Sequence, residues 1–194
     1  MTDKSQYYLN HFIKLDSAGQ FIKDKLYPNV KEISESMSAY MAVAQNISNH
    51  REGPMSFGDK DTQCLVVGDG SRPRTGALFA CMTRWNVFSI DPALSQKKYS
   101  YQRLTQLRKR IEESQQDILD IKNKHVILVQ VHSHAKLDNC LKTIVPIGCK
   151  SLSIVSIPCC VPQLIKDLPP DIEYEDWHCL SVHRTAKIWK GIKL

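Results

Sequence analysis

Residues 64–80 read CLVVGDGSRPRTGALFA, which is a short apolar run, a glycine-rich turn and a second apolar segment. The run Cys64–Val67 is too short for an isolated helix and ends in β-branched residues, so it predicts a buried strand. Glycines in the turn let the backbone approach a ligand, and the free amides at the start of the next helix favour an anionic or strongly polar group. The stretch therefore predicts a strand, turn and helix arranged as in nucleotide-binding α/β folds.

The turn departs from two common phosphate-binding motifs. Pro73 stands at the sixth position counted from Gly68, where a dinucleotide fingerprint has its third glycine, and no Gly-Lys-Ser/Thr sequence follows. A pyrophosphate site is therefore disfavoured, and a Walker loop is excluded. A tight strand-to-helix turn that binds no ligand stays open as an alternative.

Short apolar runs alternate with helix-like stretches through the rest of the chain. This alternation is typical of a parallel sheet with crossover helices. The further predicted elements are central strands over residues 86–90, 125–131 and 151–157, an edge strand within 101–110, a helix over 112–122, and two final strands over 172–177 and 185–189 that could form an antiparallel hairpin.

The amino-terminal part has a different pattern. Apolar residues recur at helical spacing over residues 5–48, with breaks at 17–19 and 27–28, and residues 49–54 end the pattern. We therefore expect two units, a helical segment over residues 1–60 and an α/β domain over residues 61–194.

Composition bounds the class of protein. The 194 residues have an ordinary globular composition, with no run of about 18 apolar residues and no secretion-signal layout at Met1–Lys4. Seven cysteines, an odd number in a chain of this length, fit reduced thiols better than a disulfide framework. We expect a soluble protein of the cytoplasm or nucleus, without a membrane partner.

The net charge of +6 is unevenly distributed. Residues 1–60 hold seven basic and seven acidic side chains, whereas residues 61–194 hold nineteen and thirteen. Basic residues cluster at 97–110 and again at 184–193. This excess is compatible with an RNA partner, and a solvated basic surface is the alternative.

Asp91 ends the second predicted strand and is followed by Pro92. It comes 21 residues after Gly70, which is close to the separation at which an α/β fold places the carboxylate that binds ribose hydroxyls. An ordinary Asp-Pro turn is the alternative. After the edge strand, residues 110–113 could lie beside the base of the same ligand.

Polar and sulfur-bearing side chains follow the next two predicted strands. His132 and His134 come after the one, and Cys159 and Cys160 after the other, so the four could border one crevice. A tetrahedral zinc site is an alternative, but the chain has no Cys-x-x-Cys pair, and we predict a pocket without a metal. A Cys/His hydrolase is disfavoured, because adjacent cysteines before Val-Pro are a poor setting for a nucleophile.

The strand, glycine-rich turn and acidic strand end resemble the class I S-adenosylmethionine-dependent methyltransferases. One branch, which includes the 2'-O-methyltransferases of the tRNA acceptor stem and several methyltransferase-like proteins, carries His-Leu-Cys-Gly-x-x-x-Asp after the fourth strand and Cys-Cys after the fifth. Residues 132–138 read HSHAKLD and keep the His and the Asp, and Cys159–Cys160 supply the pair. His134 and Ala135 replace the Cys and Gly of that branch.

The resemblance implies a Rossmann-like methyltransferase fold, with a mostly parallel seven-stranded sheet preceded by the helical segment. It implies S-adenosylmethionine as cofactor, His132 as the base that takes a proton from the acceptor, and Asp138 as the group that orients it. RNA is one candidate acceptor. A catalytically inactive Rossmann-like subunit that binds a partner protein is the alternative function. The expected cofactor contacts are Gly68, Asp69, Gly70, Ser71, Arg74, Thr75, Asp91, Pro92, Glu112, Val131 and His132.

Overall fold

Strand β1, Thr62–Val67, is buried along its whole length and lies inside a seven-stranded sheet. This computed structural model describes residues 6–48 and 55–192. The sheet order is β3-β2-β1-β4-β5-β7-β6, in which β7 runs antiparallel to β5 and to β6 and the remaining neighbouring strands are parallel. The other strands are β2 (Asn86–Ile90), β3 (Leu104–Leu107), β4 (His125–Val131), β5 (Ser151–Ile157), β6 (Ile172–Glu175) and β7 (Thr185–Ile192).

In residues 6–48 and 55–192, five α-helices cover the two faces of the sheet. The longest begins after Asn29, whose side-chain oxygen accepts a hydrogen bond from the Glu32 amide at 3.0 Å and so satisfies one free donor of the first turn. Among the described residues, none of these helices is long and apolar enough to cross a membrane. The helices are α1 (Tyr7–Phe12), α2 (Ala18–Lys23), α3 (Val30–Asn46), α4 (Arg74–Met82) and α5 (Leu137–Ile144).

The first three helices pack on the sheet together with α4. Phe12, Phe21 and Val43 are fully or almost fully buried in one apolar cluster with Val66 and Val129 of the central strands. A second cluster on the opposite face joins α5 to the sheet. The amino-terminal helices therefore share their core with the strands.

A buried carboxylate ties these helices to the end of β6. One oxygen of Asp176 accepts hydrogen bonds from the Tyr8 hydroxyl and the Ser38 hydroxyl, both at 2.5 Å, and the other accepts from the His178 amide at 3.0 Å. Burial and the adjacent Asp176 raise the pKa of Tyr8 far above its ordinary value, so the phenol stays a donor. We refer to Tyr8, Ser38 and Asp176 as the clasp.

The mostly parallel seven-stranded sheet predicted from the sequence is confirmed, including the edge strand beside β2 and the final antiparallel pair. The helix predicted over 112–122 is wrong: only two short 3-10 turns form, at Ile111–Glu113 and Leu119–Ile121. The isoleucines in and next to these turns are buried at separate points of the apolar cluster that joins α5 to the sheet, namely Ile111, Ile118 and Ile121. Their tertiary packing outweighs the helix propensity of the segment. The helix that follows the glycine-rich turn, α4, begins at Arg74, and α5 is a crossover helix for which the sequence pattern gave no bounds. Residues 1–5, 49–54 and 193–194, on which parts of the sequence predictions rest, lie outside the described residues.

Candidate functional site

A cleft of about 770 Å³ opens at the carboxyl ends of β1, β2 and β4. The chain leaves β1 toward β2 and β3 and then crosses back to β4, so this is the point where the strand order reverses and where open α/β sheets bind ligands. The volume is within the usual range for small-molecule sites. Nearly all the expected cofactor contacts line the cleft, namely Gly68, Asp69, Gly70, Arg74, Thr75, Asp91, Pro92, Glu112, Val131 and His132.

Two predicted residues do not line it. Ser71 is exposed on the outside of the turn, where its carbonyl oxygen accepts a hydrogen bond from the Ser95 amide at 2.9 Å. Asp138 is exposed in the first turn of α5. Ser71 and Asp138 thus lie outside the lining of the cleft, and the carboxylate paired with His132 in the described structure is that of Glu35.

Asp69 holds the glycine-rich turn together from within. Its buried carboxylate accepts hydrogen bonds from the amides of Thr75 and Gly76, both at 2.9 Å, and from the Ser89 hydroxyl at 2.8 Å. Burial raises the pKa of Asp69, and the donors act in the opposite direction. Its carboxylate therefore fixes the start of α4 on β2, and its contact with a cofactor stays a prediction.

Asp91 sits at the end of β2 and lines the cleft. Its carboxylate accepts hydrogen bonds from the Gly70 amide at 2.9 Å and from the Ala93 amide at 2.6 Å. Gly70 has a φ of +77°, a conformation that favours glycine. These hydrogen bonds hold the end of β2 against the glycine-rich turn. The partly exposed carboxylate of Asp91 lies in the wall of the cleft.

Helix α3 supplies a second wall. Glu32 forms an ion pair with Arg74 at 3.1 Å, and the hydroxyls of Ser36 and Thr75 share a hydrogen bond at 3.0 Å. The Tyr27 hydroxyl donates to the Arg74 carbonyl oxygen at 2.9 Å. The amino-terminal segment therefore closes one side of the cleft.

His132 follows β4 and faces a carboxylate of α3. Its Nε2 atom lies 3.0 Å from Oε1 of Glu35, at ion-pair distance but without the alignment of a hydrogen bond, and Nζ of Lys31 lies 2.9 Å from the same oxygen. Burial raises the pKa of Glu35, but the facing His132 and Lys31 outweigh it and lower the pKa from 4.5 to about 2. Glu35 is therefore ionised at neutral pH and presents its charge to His132, whereas an orienting role for Asp138 stays a prediction.

The far end of the cleft is bridged by one hydrogen bond. The Asn139 side-chain amide of α5 donates to the Glu112 carboxylate at 2.5 Å, and both residues line the cleft. Glu112 thus lies in the region after β3 that was expected to approach the base of a ligand.

Beside His132, three further side chains meet at the ends of β4 and β5. Sγ of Cys160 lies 3.7 Å from Sγ of Cys159 and 3.6 Å from Nε2 of His134. The neighbouring Cys159 raises the pKa of Cys160, which disfavours the thiolate at Cys160. We call His134, Cys159 and Cys160 the thiol–imidazole cluster.

Sequence reasoning missed several residues that build this region. Three residues of α3 line the cleft although the sequence indicated only a helix there, namely Lys31, Glu35 and Ser36. The signal that could have found them is a run of polar residues within an amphipathic helix, which indicates that one face of the helix borders a polar site. Gln163 was also missed, and it is fully buried between the loops that follow β4 and β5. Nothing in its local sequence distinguishes it.

No protein-family model matches the sequence, and no curated protein matches it. Among solved structures, a mutant of MtNAS in complex with S-adenosylmethionine aligns with 95% of this chain and 70% of its own, at 11% identity and a TM-score of 0.52. The chain has a Rossmann-like fold. A proposed type II methyltransferase from Anaeromyxobacter dehalogenans aligns with 52% of this chain at 16% identity and a TM-score of 0.39, and the chain spans only 43% of its length. In this Rossmann-like fold the cleft lies at the strand-order reversal, the position at which open α/β sheets in general bind ligands.

Proposed function

We propose that the chain is an S-adenosylmethionine-dependent methyltransferase. The observation that carries the proposal is the hydrogen bond from the Gly70 amide to the Asp91 carboxylate. It lies at the carboxyl ends of β1 and β2, in the wall of a cleft of about 770 Å³. The likeness in fold to MtNAS, which was crystallised with S-adenosylmethionine, supports it.

The cleft residues fit this cofactor chemically. The Asp91 carboxylate would accept hydrogen bonds from the ribose hydroxyls, and the Gly70 turn would lie against the ligand without a side chain in the way. Glu112 and Asn139 offer polar atoms for the base at the far end. When bound, the cofactor supplies an already activated methyl group, so positioning and electrostatics are the main tasks of the protein.

His132 is the proposed base for the acceptor proton. Its backbone φ of +51° is unusual for a residue other than glycine, and such conformations persist where the surrounding structure holds them. Ionised Glu35 beside the ring would stabilise the imidazolium that forms when His132 takes a proton. Glu35 is thus a positioning residue that acts through His132.

Ligand titration tests the proposal. We expect calorimetry with S-adenosylhomocysteine to show one site on the wild-type chain, and Asp91→Ala to weaken it roughly 10- to 100-fold because the charged hydrogen bonds are removed. Asp91→Asn keeps one of the two oxygens that accept from the turn amides and should therefore lose less affinity than Asp91→Ala, and Asp120→Ala is a matched control at an exposed carboxylate. Absence of a site in the folded wild type would favour the inactive-subunit alternative, and unchanged affinity in folded Asp91→Ala would mean that the ligand lies elsewhere.

A further inference from the structure

We propose that the thiol–imidazole cluster is a zinc-binding site. The ligand atoms of His134, Cys159 and Cys160 lie within 4.8 Å of one another, at the carboxyl ends of β4 and β5. Two sulfurs and one imidazole nitrogen form a donor set that suits zinc, whereas magnesium and calcium prefer oxygen ligands. The site does not depend on the proposed methyltransferase function.

Two of the three donor spacings match tetrahedral coordination. With Zn–S bonds of about 2.3 Å and Zn–N bonds of about 2.0–2.1 Å, two thiolates on one zinc stand about 3.8 Å apart, and a thiolate and an imidazole nitrogen about 3.6 Å apart. The corresponding distances are 3.7 Å between the two sulfurs and 3.6 Å between Cys160 and His134. Cys159 and His134 lie within 4.8 Å of each other, so their donor atoms would approach by up to about 1 Å when a zinc ion binds.

The loops that carry the ligands are held by a buried amide. The Gln163 side chain donates to the carbonyl oxygens of Ser133 and Ala135, both at 3.1 Å, and accepts from the Leu137 amide at 3.0 Å. These bonds bracket His134 on both sides, and Cys159 reaches the His132 carbonyl oxygen at 3.5 Å. Such outer contacts fix ligand orientation before a metal arrives.

Three protein ligands leave a fourth coordination position for water or another molecule. Within residues 6–48 and 55–192, no further His, Cys, Asp or Glu belongs to the group. His134 and Cys160 are exposed, which gives an ion a path of entry, and His134 also lines the cleft. Binding replaces the two S–H bonds by Zn–S bonds, and the two protons pass to the buffer.

Metal titration of the reduced, untagged, chelator-treated full chain tests the site. We expect one Zn²⁺ per chain by calorimetry, with proton release that shifts the observed heat between buffers of different ionisation enthalpy. Co²⁺ in place of Zn²⁺ should give a sulfur-to-metal charge-transfer band and the visible bands of a tetrahedral ion.

Matched variants locate the metal. Cys160→Ser, Cys159→Ser and His134→Ala should each weaken zinc binding at least about tenfold while circular dichroism stays unchanged, and Cys81→Ser, at an exposed thiol outside the cluster, should leave it intact. No uptake of zinc by the wild type, or wild-type affinity in folded Cys160→Ser, would overturn the proposal. Titration of the same metal-free protein with S-adenosylhomocysteine reports on the proposed function separately, so the two can fail independently.

Discussion

At Gly68 the backbone has a φ of +84°, and a Cβ atom there would lie 2.2 Å from Oγ and 2.9 Å from Cα of Ser133. Gly148 has almost the same φ, +83°, but open space around it. The first position therefore combines conformational strain with a backbone clash, whereas the second has the strain alone.

We expect Gly148→Ala to lower the free energy of unfolding by about 1 kcal/mol and Gly68→Ala by at least about 2 kcal/mol more, because β1 and β4 must separate at their ends. Urea denaturation of both variants measures the difference. Equal losses of unfolding free energy in the two variants would show that the ends of β1 and β4 move apart without a measurable cost.

Glu35 should make stability depend on pH. Since folding lowers its pKa from 4.5 to about 2, its stabilisation is complete above about pH 5 and is lost as the pH falls toward 2. Glu35→Gln should therefore cost up to about 3 kcal/mol near pH 6, with the deficit shrinking below pH 4.5.

Urea unfolding of wild type and Glu35→Gln between pH 3 and pH 7 measures this. Asp120→Asn, at an exposed carboxylate, is the control. We expect its plot of unfolding free energy against pH to run parallel to that of the wild type. A Glu35→Gln curve parallel to the wild type would contradict the ion pair with His132 and Lys31.

Among the elements, the central strands could be predicted because each is a short run of apolar, often β-branched residues that is buried on both faces. Asp91 could be placed at the cleft because a strand end fixes its position. Glu35 could not be paired with His132, because their contact arises only when α3 packs across the sheet. The helix expected over 112–122 failed for a related reason, since its isoleucines are drawn to separate points of the core.

The clasp joins α1 and α3 to the end of β6. Asp176→Asn replaces one charged acceptor of two short hydrogen bonds, and we expect it to lower the free energy of unfolding by roughly 2–4 kcal/mol. Asp171→Asn is the control, because Asp171 is exposed and accepts one bond from the Lys190 amide, and it should cost less than about 1 kcal/mol. Similar losses in the two variants would show that the clasp contributes little.

At the scale of the whole molecule, many basic residues of the two expected clusters already have partners. Lys109 pairs with Asp117 at 2.8 Å, Lys187 lies 3.7 Å from Glu173, and Arg103 donates to the carbonyl oxygens of Ala80 and Thr83. The clusters also lie toward opposite sides of the sheet, after β2 and on β7. Less charge is therefore available to a phosphate backbone than the composition suggests.

RNA as the acceptor remains a prediction that salt dependence can test. If RNA binds, its affinity should fall steeply with salt, and the double variant Lys187→Glu/Lys190→Glu should flatten the log–log slope by roughly 0.7 for each phosphate that the variant no longer neutralises. Lys14→Glu/Lys23→Glu, with Lys14 in the turn after α1 and Lys23 at the end of α2, is the matched control and should keep the slope. A weak, salt-insensitive interaction beside firm binding of S-adenosylhomocysteine would direct the search to a protein or small-molecule acceptor.

Helix α3 forms part of the cleft wall, so any molecule held there would touch both the sheet and the amino-terminal helices. Local opening of α3 would dismantle the site. The binding free energy of the molecule in the cleft would therefore add to the free energy needed to open this helix. Amide hydrogens of α3 would exchange with solvent more slowly once the cleft is filled, while those of β6, outside the cleft, would keep their rates. The first helices of the chain would thus report occupancy of a site whose main residues come later in the sequence.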